Sequence, residues 1–318
     1  MTTFRHLTDL ASLPDAVFYG ALDRSISLRE MMDRGAWPLR SLDGRLQFNL
    51  FYENSTRTSL SFEVAAKRLG AIVSMVPVAA SSIHKGESLE DTVLTLCAQG
   101  ADYLVLRATE RGTISRAITA IEADGWPTCV LNAGEGALGH PTQGLLDAAT
   151  LLHRLGRRAS DGLQDQTLAI CGDVLHSRVA ASAIEAFSRL GATIRLVGPA
   201  DLLPRELPEG VSMLMTDLAQ GLDGVDVAMA LRIQHERIEG AIGLPIDAYH
   251  ERFGLNHTSL GAAKPNCLVM HPGPMNRGIE MDSALADDPE RSLIRSQVRQ
   301  GVALRMAVLE KLEGGSIS

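Results

Sequence analysis

LQFNLFYENSTRTSLSFEVAAKRLG, residues 46–70, changes its hydrophobic period halfway along. The run 46–52 is short, apolar and aromatic, which suits a buried strand. From Phe62 onward the apolar positions Phe62, Ala65, Ala66 and Leu69 recur at helical spacing, Glu63 and Lys67 pair on the other face, and Gly70 supplies a stop. Between the two patterns, Tyr52 to Ser59 hold a carboxylate, an arginine and five hydroxyls. This polar segment therefore occupies a strand-to-helix turn and the first helical turn, where backbone N–H groups without helical partners and the positive end of the dipole attract an anion. Ser55, Thr56 and Thr58 add hydroxyl donors, and Arg57 adds a fork that matches phosphate geometry. Ser and Thr are also common helix caps, and an arginine beside them can be surface decoration, so this stretch alone supports both readings.

The alternation repeats along the chain. Strand patterns at 71–78, 102–107 and 127–132, then at 167–173, 193–198, 226–231 and 267–270, are separated by helical patterns, of which SRVAASAIEAFSRLG is the clearest. That order predicts an α/β protein of two doubly wound parallel-sheet domains. A length of 318 residues suits two domains of about 150 residues each. Glycines cluster in AGEGALGH, residues 133–140, before a new helical run, PTQGLLDAATLLHRLG, which marks the boundary. Residues 290–312 read as a long helix with no strand after it, so it must dock on something already built.

A formal net charge of −8 argues against a protein that lives on nucleic acid or an anionic membrane. Any bound anion must be drawn in by a local site. No apolar run approaches the roughly 20 residues needed to span a bilayer, and the N-terminus lacks a basic segment followed by a hydrophobic one, so a cytoplasmic protein is expected. Cys97, Cys129, Cys171 and Cys267 lie far apart and read as small buried hydrophobes. The nine histidines show no metal-ligand spacing, so no dedicated metal site is expected.

A literal GxGxxG stands at Gly134, Gly136 and Gly139. It suggests a dinucleotide fold and a nicotinamide-dependent dehydrogenase, but the acidic residue expected about 20 positions later is missing; a flexible elbow between domains is the other reading. HPTQ follows at a helix start. His140 can donate to a polarised carbonyl oxygen or merely cap the helix, and Gln143 offers both a donor and an acceptor to an amide-like group. Arg107 ends a strand, at the edge where open α/β sheets bind ligands, and Arg232, Gln234 and Arg237 follow a second-domain strand in the same way.

Taken together, FYENSTRTS, SSIHKGESLEDT, VLRATERG, HPTQGLLD, GDVLHSRV, ALRIQHER and HPGPMNRGIE, in this order over residues 51 to 280, resemble the aspartate and ornithine carbamoyltransferase family. The resemblance implies a carbamoyl phosphate domain, 1–138 plus 292–318 with the last helix folded back onto it, and an amino-acid domain, 139–291. It implies that Ser55, Thr56, Arg57 and Thr58 hold the phosphate, that Arg107, His140 and Gln143 address the carbamoyl end, and that Gly273 and Pro274 of the HPGP run line the site. Ser81 and Lys85 would reach into a neighbouring subunit's active site, making shared sites in a homotrimer. Whether regulatory chains or a dihydroorotase-like partner join that trimer stays open.

Arg178, Arg232 and Gln234 match the positions that bind the carboxylates of the amino-acid substrate. A dicarboxylic substrate calls for additional guanidinium groups, whereas ornithine's second amine would be repelled by them. The cysteine of the ornithine enzymes' HCLP segment is also absent, since HPGP, His271 to Pro274, stands in its place. The implied activity is carbamoyl transfer from carbamoyl phosphate to L-aspartate, an early step of de novo pyrimidine biosynthesis. Arg57, Thr58, Lys85, Arg107 and His140 carry the catalysis, without cofactor. Glu53 cannot sensibly contact the phosphate. The resemblance gives it Arg178 and Arg237 as partners in a latch for domain closure. Ala108 and Thr109, where a His-Pro pair is common, are expected to tune activity rather than remove it. A non-catalytic paralogue that binds carbamoyl phosphate is the remaining alternative.

Overall fold

The computed structural model describes residues 4–36, 39–76, 86–136, 139–233 and 245–315. The chain divides into two compact units, Met1–Ala149 with Arg299–Ser318, and Thr150–Val298. Each carries its own parallel sheet.

In the first unit, α1 (Asp15–Asp33) precedes β1 (Leu46–Phe51), α2 (Thr56–Arg68), β2 (Ile72–Val76), α3 (Leu89–Ala98), β3 (Tyr103–Ala108), α4 (Thr113–Ala123) and β4 (Cys129–Glu135). The strand order is β2-β1-β3-β4, all parallel. Alternate side chains of a strand point to opposite faces, and β1 uses both. Phe48 and Leu50 pack with Val93, Leu96 and Cys97 of α3 and with Ile114, Ala117 and Ile121 of α4. Gln47 and Asn49 are buried polar groups on the other face. The Gln47 amide donates to Asn49 Oδ1 at 2.8 Å, and Asn49 Nδ2 reaches the Ser59 carbonyl of α2 at 3.4 Å. Buried polar groups are tolerated only when hydrogen-bonded, so this pair fixes α2 on the strand that leads into it.

The expected face of α2 is the buried one, with Phe62, Ala65, Ala66 and Leu69 inaccessible and Lys67 Nζ 2.6 Å from Glu63 Oε1. Its end is a Schellman stop. Gly70, at φ +91°, donates to Lys67 O and Ala71 donates to Ala66 O, which needs a residue without a Cβ penalty.

The second unit contains β5 (Thr167–Cys171), α6 (Arg178–Arg189), β6 (Thr193–Val197), β7 (Met213–Met215), α7 (Leu218–Leu222), β8 (Val227–Ala230), α8 (Ile246–Phe253), β9 (Leu268–Met270) and α9 (Ser283–Ala286). Its sheet order is β7-β6-β5-β8-β9, again parallel. Ala169, Cys171, Ala228, Ala230 and Val269 pack with Leu218 and Leu222 of α7 and with Leu255, Met281 and Leu285. The short edge strand β7 was not anticipated from the sequence, because three half-exposed residues give no alternation to read. Two helices, α5 (Pro141–Leu155) and α10 (Ile294–Gly315), contribute residues to both units.

All four cysteines are buried and free, as expected, and burial pushes the Cys267 thiol up to about 11, with Cys97 and Cys171 also raised. No helix among the described residues is long and apolar enough to cross a membrane.

The ends of β5 and β6 meet so closely that a Cβ on Gly198 would lie 2.6 Å from the Gly172 carbonyl oxygen. Because that neighbour is backbone and cannot rotate away, Gly198→Ala is expected to lower stability by about 1–3 kcal/mol. An unchanged urea midpoint would show that the strand ends have room to part.

Candidate active site

Both sheets reverse their winding at their first strand, so the carboxyl ends of two neighbouring strands, β1 beside β3 and β5 beside β8, are left facing a crevice in each unit. In the first unit three adjacent strand ends carry the expected residues. After β1, Glu53 to Ser55 form the turn and Thr56, Arg57 and Thr58 the first turn of α2. Ser55 is the N-cap, yet its side chain accepts no capping hydrogen bond. Its hydroxyl thus stands among the leading N–H groups of the helix, beside an exposed Arg57 and a half-buried Thr58.

Arg107 lies opposite Phe51 in the β1–β3 register, where the β3–β4 pairing slips. The side chain is buried, its Nη1 donating to the Ala133 carbonyl at 3.0 Å and its Nη2 to Glu53 Oε1 at 2.9 Å. Arg107, in the same unit, is therefore a partner of Glu53. Arg178, one expected partner, heads α6 in the second unit, and Arg237 lies outside the described residues.

After β4 the chain reaches His140 and Gln143 at the start of α5, both buried, with the His140 carbonyl accepting from Gln143 N at 2.7 Å. Gln143 Nε2 donates to Asp147 Oδ1 at 2.9 Å. Asp147 was missed from sequence, although Gln and Asp four apart on a helix are neighbours and the spacing could have found it.

The glycine motif before His140 does not form a phosphate cradle. Gly134 N donates to Asn132 Oδ1, Glu135 N to Gly139 O and Gly136 N to Ala108 O, so these three N–H groups are used internally. The Glu135 carboxylate accepts from Ile114 N at the start of α4. The motif turns the chain and caps a neighbouring helix, which counts against the dinucleotide reading.

In the second unit the end of β5 presents Gly172 and the buried Asp173, whose Oδ1 is 2.8 Å from His176 Nδ1. Ser177 caps α6 by accepting from Ala180 N, and Arg178 is the first helical residue. Beyond β8, Leu231 N donates to Cys171 O, extending the strand pair as far as the exposed Arg232. Gln234 lies outside the described residues, as do Ser81 and Lys85.

Gly273 and Pro274 sit in a loop organised by His271. Its Nδ1 accepts from Gly273 N at 2.8 Å, so this nitrogen carries no proton and Nε2–H faces Glu280 Oε1 at 3.2 Å. Both side chains are fully buried. Glu280 also accepts from Asn276 N, and Asn276 Nδ2 donates to the Ile233 carbonyl, so one buried pair shapes the 271–280 loop and ties it to the segment that carries Arg232. Neither His271 nor Glu280 was singled out from sequence, where a His nine residues from a Glu gives no signal.

Comparison with known proteins gives one consistent picture. Residues 5–153 match the family model for the carbamoyl-P binding domain of aspartate/ornithine carbamoyltransferase, and residues 164–312 match the model for its Asp/Orn binding domain. The chain is 47% identical over 317 residues to the aspartate carbamoyltransferase catalytic subunit of Rhodospirillum rubrum, covering 99% of this chain and 96% of that one. It is 48% identical to the corresponding subunit of Bradyrhizobium diazoefficiens over 97% of this chain and 94% of that one. Among solved structures, aspartate transcarbamoylase from Trypanosoma cruzi in complex with carbamoyl phosphate is similar, with a TM-score of 0.83 and 31% identity over 96% of each chain. The complex of that enzyme with carbamoyl aspartate and phosphate gives 0.81 and 31%, over 96% of this chain and 95% of that one.

Removing the buried donor at residue 271 should leave Glu280 without a partner it needs. His271→Leu is expected to cost about 1–3 kcal/mol, and His271→Gln, which can still donate, to cost less. Equal unfolding midpoints for the two variants would contradict this account of the loop.

Proposed function

The chain belongs to the aspartate/ornithine carbamoyltransferase family, and from that premise we propose that it transfers the carbamoyl group of carbamoyl phosphate to the amine of L-aspartate, giving N-carbamoyl-L-aspartate and phosphate. The observation that carries the reading is the carboxyl edge of the first sheet, where an uncapped helix start with Ser55, Thr56, Arg57 and Thr58 stands on the strand next to buried Arg107. That edge is built for a small anion with a polarised carbonyl.

The aspartate amine, in its neutral form, attacks the carbonyl carbon of carbamoyl phosphate. A tetrahedral oxyanion forms, the C–O bond to phosphate breaks, and the departing phosphate takes the amine's proton. Arg107, His140 and the Thr58 hydroxyl stabilise the oxyanion, while the α2 N-terminus and Arg57 receive the phosphate. Glu53 holds Arg107 until a substrate oxygen competes for the guanidinium. That exchange leaves its carboxylate for the closure role expected of Glu53, Arg178 and Arg237.

The second unit supplies the dicarboxylate's partners, Arg178 at the head of α6 and Arg232 beyond β8, with Gln234 beside it in sequence. The loop of Gly273 and Pro274 completes the site. The chain works as a cytoplasmic homotrimer in which Ser81 and Lys85 serve the neighbouring subunit; exposed Leu60 and Val64 on α2 and Ile72 and Met75 on the edge strand β2 support association with another copy. Exposed apolar residues beside an edge strand favour cover by another copy of the chain.

The direct test is N-carbamoyl-aspartate formation by the purified chain, together with its mass in solution. Arg57→Ala and His140→Ala are each expected to lower the rate about a hundredfold or more, and wild-type turnover by either would refute its role in the transfer. Glu53→Gln frees Arg107 from its carboxylate. It should leave carbamoyl phosphate binding intact while raising KM for aspartate, and equal losses for both substrates would rule out the closure role.

A further inference from the structure

We propose that Asp147 and Arg305 are positioning residues that fix the orientation of the Gln143 amide, so that its oxygen and not its NH2 group is presented to the carbamoyl nitrogen. The proposal rests on the carbamoyl transfer reading above and concerns how the first unit tells a carbamoyl group from an acyl group of the same shape.

Gln143 and Asp147 lie one turn apart on α5, and both are buried. An ionised carboxylate only accepts hydrogen bonds, so the branch of the Gln143 amide that meets Asp147 Oδ1 at 2.9 Å must be the NH2 group. The amide oxygen is on the opposite branch. This holds only while Asp147 stays ionised, because a protonated acid could donate to the oxygen and let the amide turn over. A carboxylate with no exposed surface needs a cation to remain charged.

Arg305 of α10 is the cation whose field favours that ionised form, without a direct hydrogen bond to the carboxylate. It is almost wholly inaccessible, and Asp147 is the carboxylate whose field acts on it. Burial lowers the Arg305 guanidinium to about 10, partly offset by Asp147, which leaves it charged at neutral pH. Its Nη1 donates to Ser61 Oγ at 3.0 Å and to Gly301 O at 3.1 Å, and its guanidinium stacks on the Phe62 ring at 4.9 Å. The packing leaves no slack, since a Cβ on Gly301 would sit 2.8 Å from Arg305 Nη1 and 3.2 Å from Leu146 Cδ2. Arg305 thus braces α2 through Ser61 and Phe62, while its charge acts on Asp147 through space.

Carbamoyl phosphate carries an NH2 donor where acetyl phosphate carries a methyl group. An amide oxygen accepts from the first and gains nothing from the second. In Asp147→Asn the new NH2 can donate to Gln143 Oε1, turning the amide so that a donor meets the carbamoyl donor. The full-length chain should then show a KM for carbamoyl phosphate raised about tenfold or more, with the inhibition constant of acetyl phosphate moved by less than about twofold.

Arg305→Met, which keeps the volume and removes the charge, should move the same ratio in the same direction. The double variant Asp147→Asn with Gln143→Glu restores an acceptor toward the substrate and should recover much of the lost affinity. Parallel weakening of both ligands in either single variant would mean that the two residues only hold the fold, and would overturn the proposal. A wild-type chain that formed no carbamoyl aspartate would instead overturn the reading on which it rests.

Discussion

A parallel sheet whose winding reverses at its first strand must leave two strand ends uncovered, because the connections on either side depart to opposite faces. Everything functional in this chain depends on that constraint. In the first unit the reversal sets β1 beside β3, and so sets the turn and helix start of 53–58 beside Arg107. In the second it sets β5 beside β8, and so sets the turn that leads to Arg178 beside the segment that carries Arg232. The buried amides of Gln47 and Asn49 then hold α2 over its own strand.

The acidic balance of the chain fits this local design. With a net charge of −8, the protein as a whole repels anions, so recognition falls to oriented N–H groups and a few guanidinium groups at short range. The pairing of Arg107 with Glu53 has the same effect at smaller scale. It gives a buried cation its counter-charge within the same unit.

The strands, the main helices and the residues at the sheet edges were legible because each rests on a pattern within a few residues. Alternation or an apolar run marks a strand, a 3.6 period marks a helix, and a cluster of hydroxyls after a strand marks the start of the next helix. What was not legible depends on pairings far apart in sequence. Glu53 finds Arg107 because β1 and β3 are neighbours, which no local pattern states. The GxGxxG run reads as a phosphate loop until the partners of its N–H groups are known, and those partners include Ala108. Arg305 looks like a polar interruption of an apolar helix, since arginine usually extends to solvent, and only the packing shows it buried over Phe62. His271 and Glu280 were silent for the same reason.

The discontinuity of the first unit also imposes an order on synthesis. Residues 150–298 leave the ribosome between the first sheet and the segment 299–315 that belongs to the same unit. At about 5–20 residues per second that interval lasts roughly 7–30 s. During it, Asp147 has no guanidinium and Phe62 has no cation over its ring. The nascent first unit therefore lacks part of its packing until the residues of the second unit have been made.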